Sequence, residues 1–385
     1  MMRTSLKASL LAAALFALHI CAACAEGFKD MFTDPQDGRF DTSEWLLEHK
    51  GFLPVPLVIT EPAVGYGGGL ALTFFRESIG EKVEEGTKSG HLVPPDVYAV
   101  AVAATENGTR FGAAGGMFTF LQDRWRYRGG VARVEINLNF YGVGGALGTG
   151  EKKIGYTLDG WASSQQVLGR LGNTNHFIAL RWIYLDLDSR FDLGQPQPSL
   201  TPQQLAKRDS GIGPSWEYDS RDNIFTPSRG LIAAVDTLFY GPGIGSDNTF
   251  QTYRAHVFDY LPLGETFVLG TRLDGRTARG DVPFYQLPYI DLRGVPVGRF
   301  QDQNAGVAEL ELRWNLDFRW AAIGFVGAGR AWGTQTSFAN ASNEWAKGVG
   351  VRYQIARRLG LYAGADVAWG PENTAIYLQV GSAWR

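Results

Sequence analysis

Hydrophobic and polar residues alternate along much of the chain, a pattern that predicts β-strands whose two faces meet different surroundings. The clearest case is residues 308–320, where Leu310 and Leu312 share one face and Glu309 and Glu311 share the other. At ~3.3 Å per residue this segment would be roughly 40 Å long, well beyond the about five or six residues of a typical strand. Long strands with one apolar face favour a sheet that crosses a membrane.

The same alternation predicts about sixteen strands, an even number, as bacterial outer-membrane barrels have. They are expected near residues 55–60, 64–77, 96–106, 110–121, 125–138, 152–166, 174–187, 210–219, 230–240, 249–260, 265–278, 306–319, 321–332, 345–355, 358–369 and 375–385. The first strand is shorter than the ~9–11 residues that cross a bilayer. Residues 77–95 are long for a periplasmic turn. Residues 175–188 mix polar and apolar side chains on one face, which predicts either a bulge or an incorrect strand assignment there.

The pattern therefore predicts an all-β protein, a transmembrane antiparallel β-barrel of about 16 strands. A sheet in lipid has to close, because lipid offers no hydrogen bonds to a strand edge. Short connections, such as residues 122–124 and 357–358, alternate along the chain with long ones, such as 188–209 and 280–305. This asymmetry is typical of periplasmic turns and extracellular loops. An exported soluble β-sandwich would also alternate and stays open as the alternative.

The start of the chain has the composition of a secretory signal peptide. Arg3 and Lys7 precede an apolar run of roughly a dozen residues, which is too short for a membrane-spanning helix. Small residues around Cys24 offer a cleavage site. We therefore expect a signal peptide in residues 1–25, a short periplasmic segment in residues 26–54 and an outer-membrane β-barrel in residues 55–385.

Composition and charge narrow the function further. Glycine occurs 49 times, aromatic residues make up 13% of the chain and the formal net charge is −3. An acidic exported chain is not expected to bind nucleic acid. Cys21 and Cys24 are the two cysteines and both lie in the predicted signal peptide. Neither a disulfide framework nor a cysteine-ligated metal site is therefore expected in the barrel.

Histidines are the residues to test for catalysis, because outer-membrane enzymes place a histidine beside a serine or an acid at the outer rim. Those that follow the predicted signal peptide are His49, His91, His176 and His256. None has a serine or acidic partner at a suitable spacing. We therefore expect no catalytic residue, no metal ligand and no cofactor, and a protein that is not an enzyme.

Three short motifs together resemble a known family. The first is Leu292, Arg293, Gly294 and Gly298, in the predicted loop of residues 280–305. The second, in a predicted periplasmic turn, contains Asp219, Arg221, Asp222, Pro227 and Gly230. The third, in the last predicted strand, contains Gln379, Gly381 and Trp384. In register over residues 53–385, they resemble the outer-membrane barrel of the BamA/TamA superfamily, also called the bacterial surface antigen domain.

The resemblance implies a long sixth extracellular loop that folds toward the lumen and carries Arg293. It also implies that the outer-membrane assembly machinery reads the C-terminal strand during biogenesis. Family members that assemble other proteins carry periplasmic POTRA repeats ahead of the barrel. Residues 26–54 are too few to bury the core of such a repeat. The expectation is therefore a short member that lacks POTRA repeats.

The sequence departs from the family's pattern at three positions. Val295 stands where an aromatic residue usually follows Arg-Gly, and Arg385 extends the chain beyond the last aromatic residue. Gly327 stands where the family usually has the acid that pairs with the loop arginine. A guanidinium that leaves water needs a carboxylate, which its planar fork binds well. The candidate lumenal partners of Arg293 are Glu309, Glu311 and Asp366.

The resemblance implies a barrel that assists insertion or translocation of a polypeptide, or of lipid, at the outer membrane of a Gram-negative cell. The route would be a weak seam between the short first strand and the last. Expected partners are outer-membrane lipid, the assembly machinery and client outer-membrane proteins. Two other functions stay open: a passive or gated pore, which lumenal charges such as Arg272 and Asp274 permit, and a structural or surface-interaction barrel acting through residues 188–209.

Overall fold

Sixteen antiparallel strands form one nearly closed barrel, in which each strand pairs with its neighbours in the sequence. The computed structural model describes residues 31–48, 50–90, 92–142, 153–192 and 206–384. The strands are β1 (Gly51–Ile59), β2 (Gly67–Phe75), β3 (Val97–Thr105), β4 (Arg110–Phe120), β5 (Trp125–Phe140), β6 (Ile154–Arg170), β7 (His176–Asp192), β8 (Ala206–Asp219), β9 (Gly230–Tyr240), β10 (Phe250–Leu263), β11 (Phe267–Gly280), β12 (Asn304–Asn315), β13 (Trp320–Trp332), β14 (Glu344–Ala356), β15 (Leu361–Trp369) and β16 (Thr374–Val380). The predicted fold class and strand number are confirmed. The predicted signal peptide and both cysteines lie outside the described residues.

Helices α1 (Ser43–Glu48) and α2 (Ile79–Ser89) lie outside the sheet, and single 3-10 turns lie at Pro242–Ile244, Phe284–Gln286 and Arg357–Leu359. Helix α2 explains the long connection between β2 and β3. Ser78 begins this helix with a capping box, because its hydroxyl and backbone exchange hydrogen bonds with Glu81. Gly90 ends it with φ +71°. No helix in the described part of the chain is long and apolar enough to span a membrane.

The first and last strands differ from the sequence prediction. β1 begins at Gly51 and has 9 residues, so it is long enough to cross a bilayer and the predicted short first strand is wrong. β16 ends at Val380 and has 7 residues instead of reaching residue 385. The cause is Gly381, whose φ of +81° turns the chain away from the sheet.

β7 is regular, and the bulge predicted within residues 175–188 is absent from it. Its pairings with β6 and β8 run without a register shift. Leu180 faces outward and is half exposed, so Arg181, Ile183 and Leu185 face the lumen together. This mixed face fits its surroundings, because the middle of the inner wall of β3–β7 is lined by small and aliphatic side chains, while Arg181 lies 3.6 Å from Asp236 on β9. Residues that line a hollow of about 480 Å³ in this wall include Ala99, Ala101, Ala113, Ala132, Ala162, Ile183 and Leu185.

The inner wall of β10–β15 is charged instead. Its inward-facing charged residues are Arg254, Arg272, Asp274, Arg276, Glu309, Glu311, Arg313, Arg352 and Asp366. Several of them pair along the wall; Asp274, for example, accepts hydrogen bonds from Arg254 at 2.9 Å and from Arg276 at 2.9 Å. Buried charges persist only when they are paired in this way. The charged wall is therefore a network of ion pairs rather than a set of solvated groups.

A seam separates the first and last strands. The strand order runs from β1 to β16, and in the described part of the chain no ladder joins these two strands. All other strands have a ladder on both sides. The seam is therefore the line along which backbone hydrogen bonds hold the barrel least. We call the end of the barrel that carries the β11–β12 connection the loop end, and the opposite end the turn end.

Candidate functional site

The connection between β11 and β12, residues 281–303 and here called loop 6, folds back into the barrel. A bridge between Tyr289 and Gln301 narrows it into a hairpin. At its tip, Ile290 and Leu292 are almost completely buried, with 1% and 4% of their surface exposed. The predicted position of the loop, between strands 11 and 12 and directed toward the lumen, is confirmed.

Arg293 lies at the tip of loop 6 and contacts all three carboxylates named from the sequence. Its Nε donates to Glu309 Oε1 at 2.9 Å, and Nη1 donates to Asp366 Oδ2 at 3.0 Å. Nη2 lies 2.7 Å from Glu311 Oε2, a charge contact without hydrogen-bond alignment. The guanidinium also stacks on Phe325, with Cζ 3.5 Å from the ring centre. One arginine therefore ties loop 6 to β12, β13 and β15.

The electrostatics of this cluster favour the charged arginine. Burial works to lower the pKa of Arg293, but the charges of Glu311, Glu309 and Asp366 outweigh it and raise that pKa. Asp366 is shared, because Arg352 binds both of its oxygens, at 2.5 and 2.9 Å. Removing Arg293 would leave several buried carboxylates short of cations, which is the costly way to break a buried ion pair.

A glycine on β13 makes room for loop 6, and a glycine on β14 makes room for one of the carboxylates that bind Arg293. A Cβ on Gly327 would lie 2.7 Å from Leu292 Cδ2, so the position where the family usually has an acid is occupied by a loop side chain. On β14, a Cβ on Gly350 would overlap Asp366. Asp366 on β15 thus provides a carboxylate in place of the acid that the family usually has at position 327. Gly327, at that position, lets loop 6 approach the wall.

Loop 6 also binds the last hairpin of the barrel. Gly294 has φ +90°, and its N–H donates to the Tyr377 hydroxyl on β16 at 2.8 Å. A Cβ on Gly294 would lie 2.9 Å from the backbone nitrogen of Gly370, so only glycine permits this approach. Arg299 binds Glu372, in the β15–β16 turn, through two hydrogen bonds, one of 2.6 Å. These contacts fasten the strand that lies on one side of the seam.

The other side of the seam is touched by the same loop. The backbone of Val297 lies close to the carboxylate of Glu61, in the turn between β1 and β2, and burial raises the pKa of this carboxyl. Gly298 follows with φ +75° and turns the loop back toward β12. Loop 6 therefore contacts both the β1–β2 and the β15–β16 hairpins at the loop end.

The C-terminal motif does not lie on one strand. Gln379 is in β16, but after Gly381 the chain enters the lumen and Trp384 is 5% exposed. The ring of Trp384 fills space left by Gly270, and its Nε1 donates to Glu309 Oε2 at 3.2 Å. The expectation that this tryptophan belongs to the last strand is therefore wrong. Trp384 instead shares a carboxylate with Arg293.

The motif in the β8–β9 turn is held by local bonds. Arg221 donates to both oxygens of Asp219, at 2.9 and 2.7 Å. Asp222 accepts from the N–H of Ser228 at 2.9 Å. Gly230 has φ +89°, and a Cβ there would strike the Ser220 carbonyl. These three hydrogen bonds and the glycine shape the turn itself.

Other residues of this turn reach across the turn end. Pro227 accepts from Arg313 Nη1 on β12 at 3.2 Å. The Phe225 carbonyl accepts from the N–H of Ser382 at 2.6 Å, so the turn also holds the C-terminal tail. Asn223 donates to the Leu359 carbonyl, in the β14–β15 turn, at 2.8 Å. The turn thus connects β12, the tail and the β14–β15 hairpin.

A cluster at the turn end was missed from the sequence. Arg319, placed by the alternation on a strand, lies in the β12–β13 turn and is fully buried. It binds Asp34 at 2.5 Å, Asp37 at 2.7 Å and Asp41 at 2.5 Å. Arg357 also binds Asp34, and this hydrogen bond lowers the pKa of Asp34 to about 2. We call this group the N-terminal clasp.

The clasp has only a faint signal in the sequence. Asp34 and Asp41 lie 285 and 278 positions from Arg319. Three aspartates in eight residues, with Pro35 and Gly38 between them, predict a turn but not its partner. Pairing at this separation is decided by the closure of the barrel.

Of the four histidines considered for catalysis, the structure describes His176 and His256, and neither contacts Arg293 or its carboxylates. His176 stacks against Trp216 and Tyr218 at the start of β7, with ring centres 5.7 and 4.7 Å away. His256 faces the lumen beside Phe258. His49 and His91 lie outside the described residues. Within the described residues, no group of three or more histidine, cysteine or acidic side chains is suited to hold a metal ion.

Comparisons with known proteins point to one family. A model of the Omp85 superfamily domain matches residues 141–370. BamA from Haemophilus ducreyi lacking POTRA domains 1–3 is similar in structure (TM-score 0.56, 14% identity), covering 86% of this chain and 69% of that one. CdiB from Acinetobacter baumannii is also similar (TM-score 0.54, 11% identity), over 86% of this chain and 59% of that one. CdiB from Escherichia coli is similar as well (TM-score 0.56, 11% identity), over 85% of this chain and 61% of that one. This chain thus spans less than two thirds of either CdiB. No curated protein matches the sequence.

Proposed function

Because the chain belongs to the Omp85 superfamily, whose barrels reside in the Gram-negative outer membrane, we propose that it helps polypeptide segments to enter or cross that membrane. The observation that carries the proposal is the seam: no ladder joins β1 to β16 in the described residues. The loop end is then extracellular and the turn end periplasmic. The polypeptide would pass through the seam.

The physical reason is the cost of strand edges in lipid. An unmet backbone N–H or carbonyl in the bilayer costs several kcal/mol, so an inserting strand needs an edge that can pair with it. A seam without its own ladder offers such an edge at little cost. Outer-membrane lipid surrounds the barrel, and the assembly machinery recognises Gln379 and its neighbours while the barrel itself is being inserted.

Loop 6 gives the seam a fixed frame. Arg293 joins β12 to β15, and Arg299 joins the loop to the β15–β16 turn. With these strands held, the seam can part without unfolding the charged wall. In this proposal Arg293 is a positioning residue, which keeps the edge of β16 in place and does not touch the client.

The test is the folding rate of a simple outer-membrane barrel into liposomes that contain this protein, compared with empty liposomes. We expect acceleration by the natural chain and loss of most of it in Arg293→Ala. Arg293→Lys, which keeps the charge but not the planar fork, should retain an intermediate rate. Gly324→Ala is the control, because a Cβ there meets nothing within 4 Å.

Each variant has to be folded, which is judged by the difference in electrophoretic mobility between heated and unheated samples. Absence of acceleration by the folded natural chain would contradict the proposal. A single-channel conductance in the same liposomes would then favour the pore. Equal acceleration by Arg293→Ala would keep the insertion function but remove loop 6 from it.

A further inference from the structure

The two strand edges at the seam do not have the same hydrogen-bonding capacity. Backbone groups of successive residues in a strand point alternately to its two sides. At the two ends of β2, the flanking residue Tyr66 accepts from Glu106 at 2.8 Å and the flanking residue Arg76 donates to Asp96 at 3.4 Å, so the even-numbered residues of β2 bond toward β3. The odd-numbered residues of β2 therefore bond toward β1. Their partners in the register are the odd-numbered residues of β1, such as Leu53 opposite Thr73.

The even-numbered residues of β1 consequently direct their backbone groups at the seam. In the middle of the strand these residues are Pro54 and Pro56. A proline has no N–H, so this stretch of the edge can accept hydrogen bonds but cannot donate any. Prolines on a strand edge are a recognised means of preventing further pairing. The β1 side of the seam is therefore a poor template for another strand.

The β16 side of the seam is different. Gly370 donates to Asn373 at 2.9 Å and Gly381 donates to Tyr362 at 2.8 Å, so odd-numbered residues bond toward β15. The even-numbered residues of β16 then point to the seam, with Ile376 and Leu378 in the middle. Neither is a proline, and each carries both a donor and an acceptor. This edge can form a complete antiparallel ladder.

We propose that the seam is one-sided: the β16 edge receives the incoming strand, and β1, with Pro54 and Pro56, does not. The inference rests on the proposed function. Its partner is an extended strand with alternating apolar residues, whose backbone donors and acceptors complement those of β16. The outward side chains of Ile376 and Leu378, about half exposed, would continue onto the apolar face of that strand.

Contacts of loop 6 agree with this assignment. Gly294 binds Tyr377, which faces inward between Ile376 and Leu378 on the same strand. Arg299 binds Glu372 in the turn that leads into β16. Loop 6 thus supports the receiving edge from the lumen, at Tyr377, which is adjacent to both seam-facing residues, Ile376 and Leu378. On the other side of the seam, loop 6 reaches Glu61 in the turn that follows β1.

The experiment is site-specific disulfide cross-linking during client folding into liposomes. Single cysteines are introduced at Val58→Cys in β1 and at Ile376→Cys in β16, both with outward-facing, exposed side chains near the loop end. The client is a simple outer-membrane barrel with one cysteine in its first or its last strand. Labelling by a small thiol reagent first establishes that both positions react equally.

We expect at least a tenfold higher cross-link yield at Ile376→Cys than at Val58→Cys. Equal yields, a higher yield at Val58→Cys, or no cross-link at either position would overturn the inference. Folding acceleration is recorded in the same reactions. If client folding is accelerated but the cross-link yield at Ile376→Cys does not exceed that at Val58→Cys, only the one-sided seam is rejected. If the natural chain does not accelerate client folding at all, the proposed function is rejected.

A second variant tests the cause of the asymmetry. Pro54→Val with Pro56→Val gives the β1 edge two donors, and the yield at Val58→Cys should then rise at least threefold. Val55→Ile is the matched control, because it changes a side chain between the two prolines without adding a donor. An unchanged yield in the double variant would overturn the assignment of the asymmetry to the prolines.

Discussion

The inner wall of the barrel has two halves that are built from different residues. In the middle of β3–β7 it is formed by small and aliphatic side chains around a hollow of about 480 Å³, and paired arginines (Arg126, Arg128 and Arg170) lie toward the turn end of β5 and β6. Along β10–β15 it is formed by arginines and carboxylates, covered by loop 6. The loop 6 cluster, the inserted Trp384 and the N-terminal clasp all bind residues of the second half or of its turns.

The two halves differ because their side chains have different needs. Charges in a narrow lumen require partners, so the charged half collects segments from distant parts of the chain. Small apolar side chains require none, so the other half has free space beside it. The charged half is therefore expected to be the part whose integrity depends on single residues, and β3–β7 the part that tolerates change.

The largest effect is expected for Arg293→Ala. It would leave Glu309, Glu311 and Asp366 without their shared cation and cost about 3–5 kcal/mol of the free energy of unfolding. Arg110→Ala is the matched change in the other half, because Arg110 pairs with Glu135 on the outer face and is 71% exposed there. That pair should contribute about 0–1 kcal/mol. Urea unfolding in lipid measures both, and equal losses would break the comparison.

A smaller effect is expected from added volume. In Gly348→Ala the new methyl group would overlap the Phe325 ring and the Val367 carbonyl, and overpacking of this kind costs about 1–3 kcal/mol. Gly112→Ala on β4 is the control, because its Cβ would meet only Val102, at 3.9 Å. The unfolding midpoint should fall in the first variant alone. A similar fall in both would show that the overlap with Phe325 and Val367 is not the cause.

The smallest effect is expected from acid. The pKa of Asp34 is lowered to about 2 by Arg357, so it lies below the unfolded value of roughly 3.9. A depressed carboxyl contributes stability above the unfolded pKa and loses it as pH falls through the folded pKa. Hydrogen-exchange protection of residues 31–48 should therefore drop between about pH 4 and pH 2. Protection of β3–β6 should stay the same over that window, and an equal drop there would contradict the assignment.

Much of the fold is readable from the sequence because alternation is local. Each face of a strand is specified by residues two positions apart, so the strand number and the place of loop 6 can be predicted without any long-range information. The sequence predictions are wrong where the surroundings of a side chain are made by residues that are distant in the sequence. Ile183 beside Arg181 predicts a bulge, because the apolar inner wall that explains this mixed face is made by other strands.

The candidate site divides in the same way. Arg293 stands out in the sequence by its loop, and carboxylates on the next strand are near enough along the chain to be predicted as partners. Asp366 contacts it from 73 positions away, in a space that Gly350 leaves open. The alternation places Trp384 on a strand because nothing local reveals that the chain turns inward at Gly381.

The amino-acid sequence alone specifies the class of this protein, a sixteen-stranded barrel, and the two prolines that remove donors from its first strand. Those features depend on side-chain type and on the period of a strand. Which charges meet depends on the folded barrel, because Arg293 and Arg319 find their carboxylates only when the sheet curls and brings distant turns together. The folded barrel also makes Pro54 and Pro56 face the seam, since the ladder with β2 takes the odd-numbered residues.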